Sequence, residues 1–192
     1  MPPKSPRWLI PLTRQNAEEV RTWRLDDDVR GGLRTPYGLT EIQQARFYDH
    51  VVSDQTAPHR YWGVQDGQTA LEASRQFLPL CAMVGLTNII WESGNAEISL
   101  VVNPLLRRMG YGWRAVDLVL REGFDNLRLH SIFGEVYHSN PTALPFWEGV
   151  CKAYRAHVTT LPARKFWAGA YHDATIFTIL APAWREAMSK ET

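Results

Sequence analysis

Asn103-Pro104-Leu105-Leu106-Arg107-Arg108-Met109-Gly110-Tyr111-Gly112-Trp113 is the stretch on which the reading of this chain turns. Ahead of it, Ile98, Leu100 and Val102 alternate with Glu97, Ser99 and Val101, the period of a strand. Behind it, Trp113, Val116, Leu120, Phe124 and Leu127 recur every three or four residues. Arg114, Asp117, Arg121, Asp125 and Arg128 form an opposite, charge-alternating face, so an amphipathic helix is predicted from about Gly110 to Leu127. A strand therefore feeds a helix through a short connection that holds two arginines and two glycines. The first turn of a helix has N–H groups without intrahelical partners and a partial positive charge. Glycine lets an anion approach the backbone, and Arg107 and Arg108 add fork-shaped donors. The segment reads as an anion site that suits a diphosphate. The same glycines also suit a tight turn and close helix–sheet packing. The spacing is neither the GxGxxG of a dinucleotide fold nor a P-loop ending in GK[ST].

Outward from this segment the elements alternate. Trp8–Leu12 reads as a strand, with Pro11 pointing to an edge. Residues 15–25 read as a helix carrying Ala17, Val20 and Trp23 on one face, with Arg24 a further candidate for it, followed by Asp26-Asp27-Asp28 and a turn at Gly31-Gly32. Thr40 caps a second helix, with Gln43 as its capping-box partner. Arg60–Val64 is a strand ended by Asp66-Gly67, 68–76 a loop or helical turn, and Phe77–Ile90 a long bulged strand. Ser131–Tyr137 is a strand, Thr142–Val150 a short helix, and 153–160 and 175–180 close the chain as strands before a short tail after Pro182. This order predicts an α/β (α+β) layout around a mixed, partly antiparallel sheet.

Composition bounds the rest. The chain has 192 residues, 45% hydrophobic and 21% charged, which fits one domain spanning 1–192 with its core at about 8–181. A formal net charge of +1 gives no global drive toward nucleic acid or an anionic membrane. Cys81 and Cys151 lie in no metal-ligand spacing, so no metal site is expected, while a single bridge between them is left open. The N-terminus lacks the apolar run of a signal peptide, and no stretch approaches the roughly 18 apolar residues of a membrane span; a cytoplasmic location is expected.

Taken together, the segments resemble the core of the GNAT acetyltransferases. The pattern strand, [Gln/Arg]-x-x-Gly-x-[Gly/Ala], amphipathic helix, strand, Asn-x-x-Ala is met by Arg107, Gly110, Gly112, Asn140 and Ala143. Trp23-Arg24-Leu25-Asp26-Asp27-Asp28-Val29-Arg30 and Lys165-Phe166-Trp167-Ala168-Gly169-Ala170-Tyr171-His172-Asp173 look like two segments of one branch. That branch contains ribosomal-protein N-terminal, spermidine and nucleotide-amino-sugar acetyltransferases. The resemblance implies a mostly antiparallel twisted sheet, splayed between two adjacent strands and flanked by helices. It implies acetyl-CoA in that splay, with its pantetheine arm along Leu100, Val101 and Val102. The pyrophosphate would lie on Arg107, Arg108, Met109, Gly110, Tyr111 and Gly112, bordered by Trp113, with Asn140 and Ala143 at the cofactor arm.

Acetyl transfer to an amine needs a deprotonated amine, donors for the oxyanion and a proton for the leaving thiolate. Glu97 is the first candidate base, with Glu135 and His138 behind it, and the backbone N–H of Val101 or Val102 is the candidate oxyanion donor. The position at which many relatives carry a proton-donating tyrosine is Trp147 here, and an indole has no accessible pKa for that role. Tyr137, Tyr111 or Cys151 could replace it, or the thiolate could leave unassisted. For the acceptor, Trp23, Asp26, Tyr37, Glu97, Trp167 and Tyr171 are the candidate contacts. Asp27 and Asp28 extend an acidic turn that suits a cationic amine, and Trp62, Trp91 and Phe166 are further aromatic candidates. Three functions stay open: acetylation of a small-molecule amine, acetylation of a protein N-terminus, or a non-catalytic acyl-CoA-binding module. The last strands are a candidate homodimer surface.

Overall fold

A computed structural model of the chain describes residues 7–66 and 78–190. The reading of 68–76 as loop or helical turn, and of Phe77 as a strand start, lies outside the described residues. Seven strands form one sheet: β1 (Arg7–Pro11), β2 (Arg60–Asp66), β3 (Ala82–Ile90), β4 (Asn95–Val102), β5 (Ser131–Tyr137), β6 (His157–Trp167) and β7 (Ala170–Leu180). Their order is β1-β2-β3-β4-β5-β7-β6. β4 and β5 are parallel and every other neighbouring pair is antiparallel. The sheet is thus mixed and mostly antiparallel. β1 and β6 are its edges, and each holds the proline that only an edge tolerates, Pro11 and Pro162.

Helices cover both faces. On one side lie α1 (Arg14–Trp23), α2 (Asp27–Arg30) and α3 (Glu41–Phe47), the last running on into a π-turn at Tyr48–Val52. Thr13 and Thr40 cap α1 and α3 through complete capping boxes with Asn16 and Gln43. Ala17, Val20 and Trp23 pack on Leu80, Met83 and Val101. On the other side lie α4 (Tyr111–Arg121, with a π-turn at Glu122–Asn126), α5 (Ala143–Ala153) and α6 (Ala181–Ser189). Ala115, Val116, Val119 and Leu120 of α4 cover Val84, Leu86, Ala96, Ile98 and Ile132. The alternation on β4 thus serves two cores, with even-numbered residues under α4 and Val101 under α1.

Three expectations change. The buried stripe of α4 is Tyr111, Ala115, Val116, Val119, Leu120 and Phe124, while Trp113 stays 40% exposed, its ring edge-on to Phe146 at 5.8 Å. The residues after Pro182 are a helix rather than a tail: Pro182 sits in its first turn and buried Trp184 tilts against Phe124 at 5.4 Å. The strand expected at 153–160 begins at His157, because Ala153 ends α5. No disulfide joins the cysteines; Cys81 is buried and Cys151 partly exposed on α5. Among the described residues no helix is long and apolar enough to cross a membrane.

Candidate active site

The ladder between β4 and β5 is short. It pairs Asn95, Ala96 and Glu97 with Ser131, Ile132 and Phe133 and then stops. β4 continues along β3 to Val102, and β5 continues along β7 to Tyr137. The two strands therefore splay, and alternate N–H and C=O groups of β4 beyond Glu97 have no ladder partner on β5. Gly134 stands at the start of the splay. A Cβ there would lie 2.4 Å from Phe177 Cζ and 2.9 Å from Ile98 Cγ2, so only glycine fits the convergence of three strands.

Downstream of β4, Asn103 accepts a hydrogen bond from the Leu105 N–H and starts a single 3-10 turn at Pro104–Leu106. Arg108 and Gly110 then both take positive φ, 62° and 82°, and Gly110 is the N-cap of α4. No side chain caps this helix start. Gly112 is held by packing, since a Cβ there would meet the Phe146 ring at 3.2 Å. A splay with unpaired backbone amides that leads to a left-handed glycine and an uncapped helix start fits a long amide-bearing chain ending in a diphosphate. That is the shape of acetyl-CoA.

The opposite face of the splay, under α1–α3, is charged. Glu97 and Glu135 both project there and are nearly buried, their side chains 10% and 5% exposed. Arg34, from the loop after α2, reaches across the splay. Its Nη1 donates to Glu97 Oε2 at 3.0 Å, and its Nη2 donates to Glu97 Oε1 and, at 3.0 Å, to Glu135 Oε2. Asn88 Nδ2 adds a bond to Glu97 Oε2 at 3.1 Å, from a backbone held at φ 51° where β3 departs from regular register. Arg164 Nε donates to Glu135 Oε1 at 2.9 Å, and the Tyr137 hydroxyl donates to Glu135 Oε2 at 2.9 Å. Burial pushes the Glu135 carboxyl up, but the bonds from Arg164, Tyr137 and Arg34 outweigh it and hold it below its ordinary value. Burial raises the Tyr137 phenol; Arg34 opposes this and Glu135 adds to it.

A bulge in β6 supplies two of the cations. Pairing with β7 is regular to Leu161 and resumes at Lys165, with Ala163 at φ 49° and its N–H on Asp173 Oδ1 at 2.9 Å. In a regular strand Arg164 and Lys165 would face opposite ways. The two extra residues let Arg164 reach Glu135 while Lys165 Nζ donates to the carbonyls of Gly31, at 2.8 Å, and Leu33. Lys165 also lies 4.4 Å from the Tyr137 ring centroid, and burial lowers its pKa. It ties the loop that carries Arg34 to the last hairpin. Asp173→Ala is expected to cost about 1 kcal/mol in urea unfolding by releasing the bulge N–H, whereas Asp173→Asn, which keeps an acceptor, should stay near the wild type. Equal losses in both variants would remove the bulge from this account.

The sequence-derived candidates divide by location. Leu100, Val101 and Val102 line the splay, and Arg107 to Gly112 form the helix start; Arg107 Nη1 lies 3.7 Å from Asp28 Oδ2 and Met109 is exposed. Asn140 accepts from the Thr142 hydroxyl and Ala143 N–H, so its carbonyl opens α5. Trp147 does not reach the charged face: it stacks on Phe177 at 4.8 Å, in the α4-side core. Tyr111 donates to Asp66 Oδ2 at 2.6 Å, which together with burial pushes its pKa far up. Burial pushes the Cys151 thiol up to about 11. His138 Nε2 bonds Thr175 Oγ1 at 2.9 Å. Trp23 is buried against α1's core, and Asp26 caps α2 through the Asp28 N–H. Asp27 pairs with Arg30 and remains exposed. Trp62 packs on the main core, Trp167 sits beside Gly31, and Tyr37, Trp91, Phe166 and Tyr171 are exposed. Arg34, Asn88, Arg164 and Lys165 were not singled out as site residues from the sequence. Arg34 lies in a loop without periodicity, 63 residues from Glu97, and Arg164 depends on a bulge that only Pro162 hints at.

Comparison with known proteins agrees with this geometry. No curated protein matches the chain. Among solved structures, spermidine N-acetyltransferase from Vibrio cholerae in complex with CoA and spermine superposes with a TM-score of 0.76 at 20% identity, covering 93% of this chain and 98% of that one. A chimera of Vibrio cholerae spermidine N-acetyltransferase SpeG and hSSAT gives 0.74 at 21% identity, covering 93% and 99%. Mutant forms of the Vibrio cholerae spermidine/spermine N-acetyltransferase SpeG give 0.73 at 19%, covering 97% and 98%. These likenesses establish the fold. The model of the acetyltransferase (GNAT) domain matches residues 7–145, most of the sequence and all of the splay and helix start. The chain therefore belongs to the GNAT acetyltransferase family, acyltransferases that take their acetyl group from acetyl-CoA.

Proposed function

We propose that this chain, with residues 8–181 acting as one domain, transfers the acetyl group of acetyl-CoA to the primary amine of a small molecule in the cytoplasm. An amino sugar, a polyamine and a modified nucleotide are the candidate acceptor classes. The observation that carries the reading is the β4–β5 splay, with an uncapped helix start on one face of the sheet and two buried carboxylates on the other. The solved neighbour that holds CoA and spermine lends support to a small amine. Arg107–Gly112 would hold the diphosphate of acetyl-CoA, and the backbone of Leu100–Val102 would hold its amide arm, with Trp113, Asn140 and Ala143 alongside. Bound there, acetyl-CoA supplies an activated acyl carbon.

The amine nitrogen bonds that carbon as the carbon–sulfur bond breaks; one proton leaves the amine and one goes to the thiolate. An N–H of Val101 or Val102 stabilises the charge on the acyl oxygen. Glu97 accepts three hydrogen bonds already, so its role is to orient Arg34 rather than to take the proton itself. Tyr137 is the phenol bonded to a carboxylate of the charged face, while Trp147 stacks on Phe177 in the α4-side core. Alignment of the two reactants supplies most of the rate.

The test is calorimetry of acetyl-CoA with the wild type and Gly110→Pro, paired with thiol release over an amine panel. Proline cannot take φ 82°, so affinity should fall at least about tenfold in a variant whose circular dichroism is unchanged. No affinity in the wild type would overturn the reading, and binding without thiol release for any amine would make the chain an acyl-CoA-binding module instead.

A further inference from the structure

We propose that the acceptor is an amine carrying its own oxyanion, a carboxylate or a phosphate, received by the guanidinium groups of Arg24 and Arg164. The proposal rests on the amine-acetylation reading above. On the α1–α3 face of the splay, four cations, Arg24, Arg34, Arg164 and Lys165, meet two carboxylates, Glu97 and Glu135. Both carboxylates are committed: Glu97 to Arg34 and Asn88, Glu135 to Arg34, Arg164 and Tyr137. An acceptor rich in ammonium groups would find no open carboxylate there and an excess of its own sign. Lys165 is likewise committed, to two backbone carbonyls.

Arg24 and Arg164 are not. Arg24 is the C-cap of α1 and its Nη2 lies 3.5 Å from Thr35, the neighbour of Arg34, so it belongs to the same face. Its Nε is buried without a hydrogen-bond acceptor. Among the described residues its guanidinium makes only 3.5 Å contacts, from Nη2 to the carbonyl and hydroxyl of Thr35, the residue after Arg34. No carboxylate among the described residues pairs with it, and burial lowers its pKa. A buried guanidinium without a counter-ion is costly, and an incoming oxyanion removes that cost. Arg164 is anchored at Nε by Glu135, while its Nη1 and Nη2 bond no acceptor among the described residues and its side chain is 55% exposed. That leaves one edge of a planar fork suited to two oxygens at once.

The test compares acceptors that differ in one group. β-Alanine is set against its methyl ester, phosphoethanolamine against ethanolamine, and spermidine stands as the polycation. Each is titrated calorimetrically into CoA-loaded protein and assayed for thiol release with acetyl-CoA. The oxyanion-bearing member of at least one pair is expected to bind about tenfold tighter and to show a KM lower by a similar factor. The pair that responds distinguishes carboxylate from phosphate. Arg24→Gln and Arg164→Gln should each collapse the ratio toward unity. A merely structural role would weaken both members of a pair alike and leave the ratio standing, and Arg164, being half exposed, serves if Arg24→Gln does not fold. Equal affinity within both pairs, or spermidine binding tightest, overturns the proposal. If acetyl-CoA binds but no amine releases thiol, the catalytic reading falls by itself, and the calorimetric ratios still decide the anion site.

Discussion

Gly134→Val is expected to lower the melting temperature by on the order of 10 °C. Strand propensity alone predicts the opposite sign, since valine is favoured and glycine disfavoured in a strand. Packing decides otherwise. The first added carbon would stand 2.4 Å from Phe177 Cζ and 2.7 Å from Cε1, with Ile98 Cγ2 at 2.9 Å. Phe177 is 1% exposed and stacked on Trp147, so its ring has nowhere to retreat. Overpacking of this kind costs about 1–3 kcal/mol, and a domain of this size loses roughly 2–4 °C per kcal/mol. Thermal denaturation followed by circular dichroism measures it, with Gly134→Ala expected between wild type and valine. A valine variant that melts with or above the wild type would mean that β5 and β7 can part at this point, and the close approach at the splay would lose its significance.

Glu135→Gln is the second large effect, and its signature is in the pH dependence. The Glu135 carboxyl is held below its ordinary value of 4.5 in the folded chain, so the unfolded chain binds its proton first as pH falls. The stability this group contributes is therefore complete above its unfolded value and is lost as pH drops through the lower, folded one. The wild type should lose that contribution on acidification below about pH 4.5, whereas the glutamine variant should lack that part of the acid slope. At neutral pH the variant should be less stable by about 1–3 kcal/mol, because Arg34 and Arg164 lose a nearly buried partner. The half-exposed arginines keep the figure near the lower end. Urea unfolding at several pH values reads both numbers. Parallel curves for the two proteins across the acid range would show that the carboxylate is not held by these arginines.

The parts of this architecture set by local chemistry were legible in the sequence. Thr40 starts its helix with a capping partner three residues on, Pro11 marks an edge, and the alternation from Glu97 to Val102 gives β4 its two faces. The helix start at Gly110 was legible because glycine at positive φ leaves a mark in composition. What was not legible depends on register between distant segments. Nothing in the spacing of Arg34, Glu97, Glu135 and Arg164 says that they meet, since they come from a loop, two parallel strands and a bulged edge. Of the acidic run Asp26-Asp27-Asp28, read as suiting a cationic amine, the structure adds that Asp26 caps a short helix, Asp27 pairs with Arg30 and Asp28 lies 3.7 Å from Arg107. Trp147 stands at a position where many relatives carry a proton donor; its stacking on Phe177 explains why a large apolar ring is accommodated there.

The order β5-β7-β6 has a consequence for how the molecule comes into being. The last strand to be synthesised is inserted inside the sheet, between two strands made before it. Until residue 180 has left the ribosome, β5 offers an open edge and β6 has no neighbour to pair with. A nascent chain in that state exposes the surfaces that recruit other chains, so the interval between synthesis of β5 and closure by β7 is when this protein most needs protection from aggregation. Arg164 and Lys165 reach their partners only once that interval ends, and the enzyme acquires its charged face at the same step that removes its hazard.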